Sequence, residues 1–73
     1  GEDVRQVQKW LNALSTVYPE IKPLTADGSF GPRTVESLTT AQSLLGLTPS
    51  GFVGPLTWNA LAQQATRIQS QEE

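Results

Sequence analysis

The chain has 73 residues, 37% of them hydrophobic and 16% charged, with five basic against seven acidic side chains and a net charge of −2. That is enough for one domain near the lower size limit for a single core, and without cysteine it folds on packing alone. A dense basic nucleic-acid face is excluded by the charge, and a transmembrane helix by the lack of any apolar run near the roughly 20 residues that span a bilayer.

The first segment carries its own start signal. Asp3 can accept from backbone N–H groups while Gln6, three positions on, reaches back, which is capping-box spacing with Asp in place of Ser or Thr. Val4, Val7, Leu11 and Leu14 form one stripe, widened by Trp10, and predict a helix over residues 3–14. Tyr18-Pro19 and Lys22-Pro23 then break it, because a residue before proline is pushed towards extended backbone.

From residue 24 the chain repeats itself. LTADGSFGPRTVESL (24–38) and LTPSGFVGPLTWNAL (47–61) stand in register at a spacing of 23. In each copy a short polar acceptor and a glycine, Asp27-Gly28 or Ser50-Gly51, mark a tight turn. A second glycine, Gly31 or Gly54, then occupies an N-cap position before proline at the first helical residue. Helices are thus predicted from Pro32, with Val35, Leu38, Ala41 and Leu45 on one face up to Gly46, and from Pro55, with Trp58, Leu61, Ala62, Ala65 and Ile68. Leu24–Ala26 and Leu47–Pro49 are expected to run extended and to touch. The expected fold is all-α, three helices with two repeated turn-helix units, its core built from Trp10, Trp58, Phe30, Phe52 and the leucines. Residues 1–66 form the domain and 67–73 a polar tail or linker, with Gln69–Glu73 also readable as a frayed helix end. The sequence opens without Met, as a processed product or an excised module does.

Missing residues bound the chemistry. With no His and no Cys, the usual general base, the thiolate nucleophile and the histidine or thiolate metal sites are gone, so no catalytic residue, metal or cofactor is expected. Glu20, Asp27 and Glu36 are the internal candidates for a glycosidase-like carboxylate pair, which needs a deep cleft that three short helices have little material to build. Arg5 and Lys9 share a helix face, but Lys22, Arg33 and Arg67 are dispersed, so the cations read as a solvated surface and no nucleic-acid partner is expected. A helix-turn-helix is ruled out as well, because Pro55 lies nine residues beyond Gly46 and that motif turns in about 3–4.

VRQVQKWLNAL, LTADGSFGPRTVESLTTAQ and LTPSGFVGPLTWNAL together resemble the peptidoglycan-binding domain carried beside the catalytic domains of bacterial and phage cell-wall hydrolases. That family runs as a helix with V-x-x-L-Q-x-x-L-N, a D-G-x-F-G-P-x-T turn into a second helix ending near a Gln, and a D-G-x-V-G-P-x-T-W turn into a third. Val4, Gln8, Leu11, Asn12, Asp27, Gly28, Phe30, Gly31, Pro32, Thr34, Gln42, Gly51, Val53, Gly54, Pro55, Thr57 and Trp58 fall on the pattern, which covers Val4 to Ala62. The chain departs from it in a longer, proline-rich Ser15–Leu24 connection, in Ser29 for an aliphatic residue and in Ser50 for the second Asp. The resemblance implies a non-catalytic module that targets an attached hydrolase to peptidoglycan, extracytoplasmic in the wall, secreted or phage-delivered, with no membrane partner and a monomeric state. The same architecture serves protease pro-regions and protein-interaction modules, although the Cys-containing switch segment of metalloprotease pro-regions is absent.

Peptidoglycan offers sugar faces, amides and stem-peptide carboxylates. Aromatics, hydrogen-bonding groups, and Arg or helix N-terminal N–H groups would receive them. Phe30, Arg33 and Thr34 at the start of the second helix, with Asp27 beside them and Tyr18 in the nearby connection, are the candidate ligand-binding residues. Each has a structural reading too: Asp27 closes its turn, Phe30 packs in the core, Thr34 bonds the turn backbone and Arg33 is simply solvated. Arg33 is the cleanest of the five, because its counterpart in the second copy is Leu56.

Overall fold

Proline at the first helical position sets two of the three helices. In a computed structural model of the chain, which describes residues 1–70, α1 spans Glu2–Ser15, α2 Pro32–Leu44 and α3 Pro55–Ser70. Gly31 caps α2 with extended backbone, and Val35 N–H donates to its carbonyl just as Trp58 N–H donates to that of Gly54. The all-α, three-helix fold expected from the sequence is the one observed, with no strand among the described residues. The Leu24–Ala26 and Leu47–Pro49 segments are joined by no backbone hydrogen bond.

The start of α1 corrects the capping-box expectation. Its N-cap is Gly1, whose carbonyl receives the Arg5 N–H at 3.0 Å, and no side chain caps it. Asp3 therefore lies inside the first turn beside Glu2, where negative charge suits the positive end of the helix dipole. The end of α2 is as the sequence indicated. Gly46 takes φ +77° and donates to Ser43 O, while Leu47 N–H donates to Gln42 O, the paired bonds of a Schellman motif.

α1 is the central helix, packing on α3 most extensively and on α2 as well. Val7, Leu11, Leu14, Leu38, Ala41, Leu61, Ala65 and Ile68 are buried between them, so the core is aliphatic. Two expected core residues are corrected here: Phe30 is 44% and Phe52 73% exposed. Each sits on a turn tip rather than on a helix stripe, which leaves the ring outside the interhelical layer. Trp10 and Trp58 are partly buried at the edge of the core and meet edge to face, with ring centroids 4.6 Å apart. Residues 67–70 continue α3, with Ile68 buried, so the boundary expected after residue 66 falls inside that helix; residues 71–73 lie outside the described residues.

The proline-flanked connection after α1 contributes to packing in a way its sequence hid. Ile21 is fully buried, and polar side chains pin the backbone on either side of Pro23. Ser37 Oγ donates to Lys22 O at 2.9 Å, while Asn12 grips Leu24 twice, Nδ2 donating to its carbonyl at 2.7 Å and Oδ1 accepting from its N–H at 2.6 Å. This fixes the segment that runs beside the start of α2.

Candidate functional site

The first turn is built around a buried glutamine from α1. Gln8 Oε1 accepts from Gly28 N–H at 2.9 Å, and its Nε2 donates to Ser29 O at 2.9 Å, Thr34 Oγ1 at 3.1 Å and Asp27 Oδ1 at 3.2 Å. Asp27 Oδ1 also accepts from Ser29 N–H at 2.9 Å, closing the turn as the Asp-Gly sequence indicated. Thr34 is buried and belongs to this polar knot.

Around the knot lies an open groove of about 700 Å³, lined by Asp27, Ser29, Arg33 and Thr34 together with Gln8 and the Pro23–Leu24 segment. Arg33 and Asp27 are both exposed, and no ion pair joins them. Of the cations at this end of α2, Lys22 pairs with Glu36 at 3.6 Å, whereas Arg33 has no ion pair among the described residues. The Ser29 N–H and then the Gln8 amide, with the more distant Arg5 charge assisting, hold the Asp27 carboxyl below its ordinary value of 3.8. Asp27 Oδ2 takes no hydrogen bond from the protein among the described residues.

The second copy repeats this construction with different side chains. Gln42 Oε1 accepts from Gly51 N–H at 3.0 Å and its Nε2 donates to Phe52 O at 3.0 Å, Thr57 Oγ1 at 3.1 Å and Ser50 Oγ at 3.4 Å. Gly51 must be glycine: its φ is +74°, and an added Cβ would stand 3.2 Å from Val35 Cγ1 and 3.3 Å from Thr39 Cγ2. A groove of about 360 Å³ forms here too, but Ser50, Phe52 and Leu56 stand where the first groove has Asp27, Ser29 and Arg33. One groove is therefore charged and the other neutral, on the same backbone plan.

Of the five candidate residues, the structure gathers three, Asp27, Arg33 and Thr34, in the first groove. Phe30 turns to a separate apolar groove with Val4, Val7, Phe52, Val53 and Trp58. Tyr18 packs against the core and lines neither. Gln8, the residue that organises the site, was not singled out from sequence for any role. A signal for it exists: Gln8-x-x-Leu11 and Gln42-x-x-Leu45 each precede a copy of the turn.

Residues 1–61 match the family described as "Putative peptidoglycan binding domain". The chain belongs to the peptidoglycan-binding domain family. A Kitasatospora aureofaciens protein titled "Uncharacterized protein in bpoA1 3'region" is 38% identical over 68 residues, which cover 92% of this chain and 53% of that protein. The chain thus spans about half the length of this relative. No solved structure matches. Peptidoglycan binding, and with it a cell-wall context, is what family membership implies for this domain. No helix among the described residues is long and apolar enough to cross a membrane.

Proposed function

We propose that this peptidoglycan-binding domain is a non-catalytic, monomeric module that holds an attached cell-wall hydrolase against its polymer outside the cytoplasm. The observation that carries the reading, given the family, is the groove at the start of α2, where an exposed Arg33 with no ion pair among the described residues stands over the first helical turn. The N–H groups of Arg33 and Thr34 make no hydrogen bond among the described residues, so a carboxylate from a stem peptide would meet a guanidinium and free amides together.

The non-catalytic reading is supported by the sequence and by the groove's content. There is no His or Cys, and the groove is lined by a single carboxylate, Asp27, whereas acid-base hydrolysis of a glycan takes two flanking the bond.

Cosedimentation with purified sacculi tests the proposal. The domain is expected to pellet with the insoluble polymer and to leave the turbidity of the suspension unchanged. A fall in turbidity on adding pure domain contradicts the non-catalytic assignment. Failure to pellet contradicts wall binding and favours a protein-interaction or pro-region module, with the exposed Phe52 and Leu56 as its contact surface.

A further inference from the structure

Neither charge in the first groove is required to form the turn-helix unit, as the internal repeat shows. In the second copy the turn is closed by Ser50, whose hydroxyl accepts from Phe52 N–H at 3.2 Å and from Gln42 Nε2 at 3.4 Å, the two bonds that Asp27 Oδ1 accepts in the first. A neutral oxygen closes the same turn, with somewhat longer bonds. Likewise Leu56 occupies the Arg33 position on α3 and remains 77% exposed. The fold needs neither a carboxylate nor a guanidinium at these places, yet the first groove has one of each, and they do not neutralise one another.

From this we infer that the groove takes a zwitterionic peptide segment, with a free ammonium on Asp27 Oδ2 and a free carboxylate on Arg33, and so selects stem peptides that are not cross-linked. The inference rests on the wall-binding reading and narrows it. A groove lined by a cation and an anion that form no ion pair among the described residues is complementary to a ligand with both charges, and either charge alone would leave the opposite groove residue without a partner. Asp27 has the free oxygen for the task, since its intramolecular bonds all fall on Oδ1. Cross-linking of a stem peptide converts its side-chain amine into an amide, which carries no charge and has only one N–H left. The linked amine would therefore lose Asp27, and the groove would distinguish open from closed peptides by charge.

Calorimetric titration with small peptides provides the test. The probes are Nα-acetyl-L-Lys-D-Ala, which has one ammonium and one carboxylate, its Nε-acetylated form, and its C-terminal amide. Wild-type protein is expected to bind the zwitterion about tenfold or more tightly than the Nε-acetylated form, the loss typical of a charge-assisted hydrogen bond. Asp27→Asn, which keeps the Oδ1 acceptor for Ser29 and Gln8, is expected to bind those two alike, and Arg33→Gln to lose its preference for the carboxylate over the amide. Equal affinity of the wild type for the free and Nε-acetylated probes overturns the inference, whatever the variants do, as does a lack of binding to the zwitterion at millimolar concentration. Pelleting with sacculi separates the two levels: if it persists while the probes bind equally, wall binding stands and peptide selection falls. If pelleting is lost, wall binding itself has failed.

Discussion

Gln8 and Gln42 stand in different helices and hold their turns in the same way, each accepting from a glycine N–H and sharing its two amide hydrogens among a turn carbonyl, a helix threonine and a turn acceptor. Both are almost fully buried. Each is therefore a polar keystone, where loss of the amide strands several groups at once.

Replacing either glutamine by alanine leaves a glycine N–H and a buried threonine hydroxyl without their partner. At about 1–3 kcal/mol for each buried group left unsatisfied, Gln8→Ala and Gln42→Ala are each expected to cost about 2–6 kcal/mol, a large share of what so small a domain possesses. Gln8→Glu is expected to be worse, because a carboxylate oxygen would then face Ser29 O and the Asp27 carboxylate. Urea denaturation of the three variants measures this; a loss below about 1 kcal/mol contradicts it.

Arg33 separates binding from folding. As an exposed side chain with no ion pair among the described residues, it is expected to change stability by less than about 0.5 kcal/mol on truncation to alanine. Binding of a soluble muropeptide should weaken by about 1.5–3 kcal/mol, the range for hydrogen bonds to a charged group. Glu36→Ala is the control. It releases Lys22 from its ion pair and is expected to bind an anionic ligand as well as the wild type or better.

Asp27 gives the molecule an acid-side signature. Its folded pKa lies below the ordinary 3.8, so its stabilising contribution is complete above that value and is lost as the pH falls through the folded pKa. The gap in melting temperature between wild type and Asp27→Asn is expected to stay level from neutral pH down to about 5 and to close below 3.8. A carboxyl-carbon NMR titration of Asp27 reads the pKa directly, and a midpoint at or above 3.8 contradicts the assignment.

The repeat also permits a gain of function. Ser50→Asp, Phe52→Ser and Leu56→Arg together write the first groove's side chains onto the second. All three positions are exposed, so the triple variant is expected to fold, and a muropeptide titration should then show two sites per chain where the wild type shows one. An unchanged stoichiometry with retained fold means that the charges do not suffice to make the site.

Much of the fold was legible because its signals are local. Pro32 and Pro55 open their helices, Gly28, Gly46 and Gly51 take positive φ, and Asp27 and Ser50 bond the N–H two residues on, all decided within a few residues of chain. What the sequence concealed is long-range. Gln8 looks like an ordinary polar helix residue until the turn 19 to 26 positions away folds over it, and Ile21 looks like loop until Asn12 and Ser37 pin the flanking backbone. The aromatic residues misled for a related reason. Hydrophobicity places Phe30 and Phe52 in the core, yet they lie on turns that present backbone carbonyl and amide groups to the buried glutamines and leave the rings exposed. Within the candidate site, Asp27, Arg33 and Thr34 share one repeat unit and so were found together, whereas Tyr18 depended on the path of a connection that its prolines do not specify.

The two glutamine grips differ in reach. Gln42 closes spans of 8 to 15 residues and Gln8 spans of 19 to 26. Each doubling of a closed loop costs about 0.6 kcal/mol in chain entropy, and nearby contacts form sooner than distant ones. On chain entropy alone the Gln42 grip is thus the cheaper of the two to close, and the longer Gln8 grip ties α1 to the first turn. The charged groove is built on that longer closure. A peptide bound there would add its binding free energy to that closure, so occupancy by the wall would stabilise the domain and lower its exposure to proteases in the place where it works.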